Sequence, residues 1–348
     1  MGNETHNGTN EMIRNIGYAC KNMSITQKRD SLSNITQQEK VLTDRTCRMD
    51  KFSITRANEL ALKNSADLLR ILQWNYQNSI QFFRIGSGIF PFIDHPDLQY
   101  KVSDLPDAST IQLNLQTAGA FAKRTLQRLS CHPGPYTCLA SPNPKTVEKS
   151  LLGLKMHADL ADLLGYGAEF AINIHIGGVY ENKAETAKRF AEQYALLPTA
   201  IRERLTIEND DKESMWSMSD RFELIAPRCP EIKLVLDIHH HQFCNRESLQ
   251  EAAVMAFSTW VGFCEIPKVH YSESRPNARP QAHSDYIRMT IPELSVTLPY
   301  DIMIEAKAKE LALLQYRNQT QSSVYRLVNT LYKVYTLSYS MPEKNQTK

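Results

Sequence analysis

Eight short hydrophobic runs, rich in β-branched residues, alternate with longer amphipathic stretches along most of this 348-residue chain. Runs of this kind predict β-strands, and their alternation with helices predicts strands that pair in parallel through right-handed crossovers. Eight such units are the number that closes a single (β/α)8 TIM barrel. The predicted strands are Ile13–Tyr18, Ile80–Ile85, Gln127–His132, Glu169–His175, Arg204–Glu208, Glu231–Asp237, Pro267–Tyr271 and Tyr300–Glu305.

The stretches between the strands have the periodicity of amphipathic helices. In the first, Leu60, Leu68 and Leu72 recur at helical spacing, which predicts a face that packs on the sheet. An open doubly wound sheet is the alternative fold, but it needs fewer strands and normally has a Gly-rich turn after the first one, where this chain reads IGYACKN. The predicted helices are Ala57–Gln77, Ile111–Leu126, Thr146–Leu164, Ala184–Leu197 and Leu249–Phe257.

The domain organisation follows from where these patterns begin and end. We expect a flexible segment over residues 1–12, a barrel domain over 13–317, and a C-terminal helical tail over 318–348 with helical periodicity in Val324–Tyr335. Residues 28–55 are polar and predict a long loop after the first strand, with a disordered insertion as the alternative.

Composition excludes some classes of protein and leaves others open. No run of eighteen apolar residues and no apolar signal region is present, so we expect an intracellular protein that is neither secreted nor bound to a membrane. The seven scattered cysteines predict reduced thiols. The net charge of +2 neither favours nor excludes a nucleic-acid partner. Nothing in the sequence indicates a protein partner, and we expect a monomer.

The ends of the predicted strands carry the chemistry. Six consecutive strands end in a side chain that can bind a metal ion, and the carboxyl ends of barrel strands meet at one rim, where active sites of this fold lie. A buried imidazole or carboxylate is costly there unless it is paired or bound to a cation. The six residues are His132, His175, Glu208, Asp237, His270 and Glu305.

Mixed imidazole and carboxylate ligands suit Mn²⁺, Zn²⁺ or Fe²⁺ better than Ca²⁺, whose ligands are oxygen atoms. One ion cannot hold so many ligands, so the set predicts two or three divalent ions that share carboxylates. Closely spaced ions are the usual device for phosphodiester hydrolysis. The sequence therefore predicts a metal-dependent hydrolase.

Nine segments of the chain, in order and spacing, resemble those of the UV-damage endonuclease family, related to endonuclease IV and the xylose isomerase-like barrels. The similarity runs from about Ile13 to Glu310 and implies a barrel that nicks damaged double-stranded DNA immediately 5′ of a lesion such as a UV photoproduct, leaving 3′-OH and 5′-phosphate ends. The segments are IGYACKNM, FFRIGSGIFPFIDHP, LSCHPGPYTCLASPNP, INIHIGGVY, LTIEND, LVLDIHHH, PKVHYS, QAHSDY and IMIEAKAKE.

The resemblance also implies a ligand set for three ions, commonly Mn²⁺, with Zn²⁺ or Mg²⁺ as alternatives. Family spacing selects His240 from the run His239, His240 and His241 and leaves the roles of the other two open. The first ion is assigned His132, His175 and Glu208; the second Glu208, Asp237, His270 and Glu305; the third His240 and His283.

Two further residues take catalytic roles beside Glu208 and Glu305 by the same similarity. Lys268 matches a family lysine whose amine can carry a carboxylate and so bind metal; the alternative is an ordinary phosphate-binding lysine. His95 matches a family histidine near the scissile phosphate.

Lesion recognition is where the chain departs from the family pattern. The family inserts a Gln-Tyr pair into the duplex, whereas this chain has Pro135 and Tyr136, so the tyrosine can still stack but the glutamine's hydrogen bonds are missing. Tyr18 and Asn22 match residues of the lesion pocket, although a buried structural role for Tyr18 is an equal alternative. Arg84 is predicted to meet either a DNA phosphate or an internal carboxylate.

Two other functions compete with the endonuclease. A metal-dependent sugar isomerase or epimerase uses a related barrel, but it needs a compact cavity, whereas Tyr136 in a Pro-bracketed loop indicates an outward wedge. A non-catalytic DNA-binding module is disfavoured because the ligand set is intact. The preferred lesion and the metal used in the cell are not fixed by the sequence.

Overall fold

The computed structural model describes residues 12–26, 40–98 and 100–320 of the chain. Its eight strands form a closed barrel in the order β1 to β8, and every neighbouring pair, including β8 with β1, is parallel. This is a (β/α)8 TIM barrel, so the predicted fold class is confirmed.

The strands lie where the hydrophobic runs predicted them, with ends that differ by one or two residues. Apart from the first half of β1, they are largely buried, because the barrel interior covers one face and the surrounding helices cover the other. The bounds are β1 Ile13–Ala19, β2 Phe82–Ile85, β3 Arg128–Cys131, β4 Ala171–Ile174, β5 Leu205–Glu208, β6 Lys233–Asp237, β7 Lys268–Tyr271 and β8 Tyr300–Ile304.

The main helices surround the barrel, and polar side chains fix where several of them begin. The Ser53 hydroxyl accepts a hydrogen bond from the Arg56 backbone N–H, and Ser248 forms a capping box with Glu251. The bounds are α1 Met23–Thr26, α2 Ile54–Gln77, α3 Ala108–Arg124, α4 Pro144–Leu163, α5 Lys183–Ala195, α6 Thr199–Arg202, α7 Met218–Asp220, α8 Ile238–His241 and α9 Leu249–Ser258. Residues 310–320 are also helical.

Close packing at two points requires glycine. A Cβ on Gly17 in β1 would lie 2.2 Å from the carbonyl oxygen of Phe82 in β2, and a Cβ on Gly119 in α3 would lie 1.9 Å from that of Leu164. Both distances are far below van der Waals contact, so these glycines set the strand spacing and the approach of α3 to the end of α4.

Some predictions fall on residues that the structure does not describe. The segment 1–11, part of the polar loop (residues 27–39) and the predicted tail helix Val324–Tyr335 lie outside the described residues. The domain limits 1–12, 13–317 and 318–348 therefore stay predictions. No described helix combines the length and the apolarity that a membrane span requires.

Candidate metal centre

Six consecutive strand ends bring their ligand-type side chains to one rim of the barrel. β5 and β6 end on Glu208 and Asp237, and β7 carries His270 one residue before its end. His132, His175 and Glu305 each follow immediately after β3, β4 and β8. Because all strands are parallel, these positions lie at the same end of the barrel, as the sequence predicted.

Glu208 lies at the centre of the cluster and is fully buried. Its Oε2 is 3.2 Å from Nε2 of His132 and 2.9 Å from Nδ1 of His270, and its Oε1 is 3.3 Å from Nδ1 of His240. One carboxylate thus contacts imidazoles from three separate elements, which is the arrangement expected of a bridging ligand.

Three groups of side chains place their ligand atoms within 4.8 Å of one another. Two of these groups match the predicted first ion and, apart from the bridging Glu208, the predicted second ion. The remaining group differs from the prediction, because it joins His240 to Glu208 and Asp237 rather than to His283. The groups are His132, His175 and Glu208; Asp237, His270 and Glu305; and Glu208, Asp237 and His240.

His283 lies beside the cluster without belonging to any of these groups in the described part of the chain. Its Nδ1 is 3.9 Å from Oε2 of Glu305, and its ring centroid is 6.0 Å from that of His240. The side chain is half-buried and its Nδ1 has no hydrogen-bond partner among the described residues. A role for His283 in holding a third ion stays a prediction.

Helix α8 explains how the chain selects among three consecutive histidines. Successive residues of a helix point about 100° apart, so only one of the three can face the cluster. The Asp237 side chain caps this helix by accepting the His240 backbone N–H at 2.8 Å, which turns His240 inward. His239 contacts the Gln281 carbonyl oxygen and His241 lies 3.6 Å from Glu247.

The three carboxylates have different electrostatic surroundings. Burial alone would raise the pKa of Glu208, but His270 and the hydrogen bond to His132 outweigh it and hold the pKa well below its usual range. Arg84 and His270 likewise outweigh burial and lower the pKa of Glu305. The pKa of Asp237 is raised, because burial and the charges of Glu208 and Glu305 exceed the opposing effect of His240.

The donor set fits divalent cations. Oε1 of Glu208, Oδ2 of Asp237 and Nε2 of His270 are buried, and none has a hydrogen-bond partner in the described residues. Buried polar atoms are nearly always paired, and leaving one unpaired costs about 1–3 kcal/mol. These two carboxylate oxygens and one imidazole nitrogen lie at the same rim without hydrogen-bond partners in the described part of the chain. Coordination of metal ions would supply the missing interactions.

Residues behind the ligands hold them in place through hydrogen bonds, and these residues were not predicted from the sequence. Asn173, in the middle of β4, donates from its amide to Oε2 of Glu208 and accepts from Thr206 Oγ1 at 2.8 Å. Asn209 pairs with the backbone of Asp237. A polar residue inside a fully buried strand such as AINI was the available signal for Asn173.

The ligand His175 has its own support. Its Nδ1 lies 2.8 Å from Oδ1 of Asp210, and Oδ2 of Asp210 accepts from Nη2 of Arg221 at 3.0 Å. Arg221 is fully buried. A metal-binding histidine commonly has its second ring nitrogen fixed by a carboxylate in this way.

Lys268 is buried inside the barrel, two residues before His270 on β7. Burial, together with the charges of Arg128 and Arg84, lowers its pKa to about 7. Its Nζ has no hydrogen-bond partner in the described residues. Since the side chain is about 1% exposed, direct contact with a DNA phosphate is disfavoured.

Two residues predicted to line a lesion pocket are fully buried instead. The Tyr18 hydroxyl donates to Oδ1 of Asn75 at 2.6 Å and accepts from Nδ2 of Asn22 at 2.8 Å. The Tyr18 ring packs on Phe83. This placement corresponds to the structural alternative for Tyr18, and a contact with DNA stays a prediction for both residues.

Arg84 and His95 have partners of their own. Arg84 is an ion-pair partner of Glu305, which is the internal alternative that the sequence left open. His95 lies in the loop after β2, where the Asp97 backbone N–H donates to its Nδ1 at 3.3 Å, and it lines a cavity of about 710 Å³ beside α3 and α4. A catalytic role for His95 stays a prediction.

The predicted wedge is accessible. Pro135 and Tyr136 lie on the loop between β3 and α4, and Tyr136 is 76% exposed. The Lys149 ammonium lies 5.9 Å from the centre of its ring. Tyr136 is thus an exposed ring beside a lysine, on the rim that carries the ligand cluster, and its role as a wedge stays a prediction.

A closed parallel barrel whose strand ends collect histidines and carboxylates defines a TIM barrel with a candidate metal site. Residues 14–336 match the family model of UV-endonuclease UvdE. The chain is 30% identical to the crystal structure of SacUVDE with a TM-score of 0.74, over 88% of this chain and 98% of that one. The chain belongs to the UV-endonuclease UvdE family.

One further comparison agrees with this membership, and another concerns the fold alone. The UV-damage endonuclease of Schizosaccharomyces pombe is 32% identical over 86% of this chain, but the match spans only 49% of that relative's length. Endonuclease IV from Thermus thermophilus is 16% identical with a TM-score of 0.50, covering 73% of this chain and 94% of that one, which reflects a shared barrel fold. The predicted relationship to endonuclease IV-like barrels is confirmed at the level of fold.

Proposed function

We propose that the barrel domain is a metal-dependent hydrolase that nicks double-stranded DNA 5′ to a UV photoproduct or a similar lesion and leaves 3′-OH and 5′-phosphate ends. The observation that carries the proposal is the presence of three ligand groups at one rim, two of which contain Glu208, in a chain of the UV-endonuclease family. The name of the S. pombe relative supports it, although this chain spans about half of that relative.

The residues of the cluster hold two or three divalent ions in this proposal. Their ligands would be the six strand-end residues together with His240 and, for a third ion, His283. Mn²⁺ is the expected ion by the family resemblance, with Zn²⁺ or Mg²⁺ as alternatives, and the mixture of imidazole nitrogen and carboxylate oxygen is compatible with Mn²⁺ or Zn²⁺. When bound, such ions supply Lewis-acid activation of a phosphodiester and activation of water near neutral pH.

The protein itself positions and shields the reacting groups. Glu208 is fixed by Asn173 and His132, and Glu305 is fixed by Arg84, so neither carboxylate has to reorganise when a phosphodiester arrives. Glu208, Asp237 and His270 are fully buried, so their side chains are shielded from bulk solvent. Glu208 and Glu305 are therefore the carboxylates on which the reaction depends most in this proposal.

Lys268 is proposed to become an anionic metal ligand by carboxylation. The neutral amine attacks carbon dioxide, an N–C bond forms and one proton is released, which turns the side chain into a carbamate. The lowered pKa of about 7 supports this step because a large fraction of the amine is neutral at pH 7, and the unpartnered Nζ supports it because a carbamate oxygen could reach the cluster.

Damaged duplex DNA is the proposed partner, and Tyr136 is the proposed wedge. A base extruded from a duplex costs least where pairing is already weak, so an exposed ring at the rim favours lesion-containing sites. Pro135 has no side-chain hydrogen bond to offer, and we therefore expect Tyr136 to act through stacking. We propose that the enzyme acts as a monomer.

The test is a nicking assay on end-labelled duplexes that carry one defined photoproduct, one abasic site or no lesion. We expect Mn²⁺-dependent cleavage of the photoproduct strand at the phosphodiester immediately 5′ of the lesion. Ligation after nicking would identify the 3′-OH and 5′-phosphate ends. The proposal fails if Mn²⁺, Zn²⁺ and Mg²⁺ all give no nicking, and isomerase activity on ketoses would favour the sugar enzyme instead.

Two variants test the ligand assignments. Glu208→Gln and Glu305→Gln should abolish nicking while lesion-DNA binding remains detectable, because each keeps the side-chain size and removes a metal-binding charge. Metal content of each purified variant, compared with that of the unaltered protein, checks that the loss follows from the ions. Near wild-type nicking by Glu208→Gln with metal present would contradict the bridging role.

A further inference from the structure

Tyr180 is an aromatic residue on the rim that carries the ligand cluster, and it has no role in the proposed mechanism. It lies on the loop between β4 and α5, five residues after the ligand His175, and is 41% exposed. Its backbone has φ of +55°, in the left-handed region. Bulky residues rarely occupy this region because the side chain crowds the backbone.

The Tyr180 ring lies against a cation on its own side of the loop. The Arg189 guanidinium lies 5.5 Å from the ring centre. Arg189 is itself anchored, because its Nε donates to the Ala140 carbonyl oxygen at 3.1 Å and its Nη1 lies 3.0 Å from a carboxylate oxygen of Glu181. On the other side, a Cβ on Gly178 would lie 3.3 Å from the ring. The absence of a side chain at Gly178 therefore leaves room for the tyrosine.

The loop of Tyr180 packs directly against the loop of the proposed wedge. A Cβ on Gly177 would lie 2.9 Å from Sγ of Cys138, two residues after Tyr136, and Arg189 donates to the carbonyl of Ala140 in the same loop. The two loops thus form one surface on the rim with an exposed tyrosine on each. Both rings lie within 6 Å of a cation, Lys149 for Tyr136 and Arg189 for Tyr180.

We propose that Tyr180 is a second stacking platform, which binds a nucleobase of the DNA beside the site that Tyr136 enters. A fixed, solvent-exposed ring next to cations is the device by which proteins bind unpaired bases without reading their sequence. A strained backbone that keeps an aromatic side chain in solvent is not explained by stability, because glycine or asparagine would fit the turn at lower cost. The inference rests on the proposed function and adds a contact to it.

The test distinguishes the effect of losing the aromatic ring from the effect of disturbing the backbone turn. Tyr180→Asn removes the ring and keeps a residue that tolerates positive φ, whereas Tyr180→Phe keeps the ring. Single-turnover nicking of a duplex with one photoproduct is measured against enzyme concentration, with anisotropy of the same labelled duplex in parallel. Tyr76→Asn serves as the matched control, because Tyr76 is also exposed, at 58%, but lies near the far end of α2.

We expect Tyr180→Asn to raise the half-saturating enzyme concentration about tenfold, which is within the range of one lost base–aromatic stack. The plateau rate should stay within about twofold, the melting temperature should not fall, and Tyr180→Phe should retain the wild-type half-saturation. A lower plateau with a lower melting temperature would show a structural residue and overturn the inference.

Other outcomes also decide whether Tyr180 has the proposed stacking role. Half-saturation by Tyr180→Asn within twofold of wild type, or equal weakening by Tyr76→Asn, would overturn the stacking role while the nuclease proposal stands. If the wild-type protein binds the duplex without nicking it, the nuclease proposal fails, and the anisotropy comparison of the variants still decides the role of Tyr180. If the wild-type protein does not bind the duplex, both proposals fail.

Discussion

Replacing Asp210 by asparagine should weaken both the fold and the metal centre, and the two losses can be measured separately. Asp210 lies between the ligand His175, at 2.8 Å, and the fully buried Arg221, at 3.0 Å. Asparagine keeps the shape and one acceptor oxygen but removes the charge. The change therefore leaves a buried guanidinium without its counter-charge and His175 without its anionic support.

The size of the stability loss follows from electrostatics. Burial would raise the pKa of Asp210, but Arg221 and His175 outweigh it and lower the pKa from 3.8 to about 2. That difference corresponds to about 2 kcal/mol of stabilisation of the carboxylate in the folded state. Because the folded pKa is depressed, this contribution is present above about pH 4 and is lost as the pH falls through about 2. We expect Asp210→Asn to unfold about 2 kcal/mol more easily at pH 7.

Metal affinity is the second measurement. Loss of a carboxylate that supports a ligating histidine typically weakens metal binding roughly 10–100-fold. Urea unfolding in the presence of a chelator gives the stability of the metal-free protein, and competition with a chromophoric chelator gives the affinity for Mn²⁺ and Zn²⁺. Asp211→Asn is the matched control, since it changes the adjacent, half-buried carboxylate.

The two measurements have separate consequences. If stability falls by about 2 kcal/mol and metal affinity is unchanged, Asp210 serves only the buried ion pair with Arg221, and the reasoning about His175 is refuted. If metal affinity falls by the same factor in Asp211→Asn, the effect is one of general charge and not of contact. If neither quantity changes, both parts of the argument are wrong.

Three further predictions test other parts of the molecule. Tyr136→Ala should reduce the preference for damaged over intact duplex by about fivefold or more, measured as the ratio of nicking rates, and an unchanged ratio would exclude the wedge. Burial lowers the pKa of His157 from 6.5 to about 4, so the neutral imidazole contributes fully to stability above pH 6.5 and progressively less toward pH 4. The free energy of unfolding in urea should therefore fall by about 2 kcal/mol between pH 7 and pH 5. The fall should be smaller in His157→Gln. Gly119→Ala should destabilise the fold by about 2 kcal/mol or more because of the Leu164 carbonyl, whereas Gly134→Ala, with open space around it, should melt like wild type.

The barrel was predictable because its signal is local and repeated. Each strand is a short apolar run, and errors of one or two residues at the ends, as for Glu169–His175 against the observed Ala171–Ile174, leave the number and order of strands unchanged. The ligand residues were predictable for a related reason, since a parallel barrel brings the ends of all strands to one rim. Residues at strand ends are therefore neighbours whatever their separation in sequence.

The supporting residues were not predictable in this way. Arg221 lies 11 positions after Asp210, at the start of a short π-helix, and no sequence periodicity relates the two residues. For Tyr18, the sequence left a buried structural role and a lesion-pocket role equally open, because the hydrogen bond to Asn75 of α2 joins elements whose contact is not determined by spacing. His95 lies in a long loop after β2, whose course depends on contacts that spacing does not determine.

The carboxylates of the cluster contribute to the fold as well as to the proposed chemistry. Glu208 and Glu305 are surrounded by His132, His270 and Arg84, so the protein itself stabilises their charges. Burial, together with the charges of Glu208 and Glu305, raises the pKa of Asp237 despite the nearby His240, so Asp237 would gain from a bound cation. It also caps α8 through the backbone of His240, so the same side chain sets the register of the three histidines and takes part in two of the three ligand groups. A cation at this position would offset the electrostatic cost of burying Asp237 while leaving that cap intact, so the proposed metal ions would stabilise the folded barrel as well as complete its site.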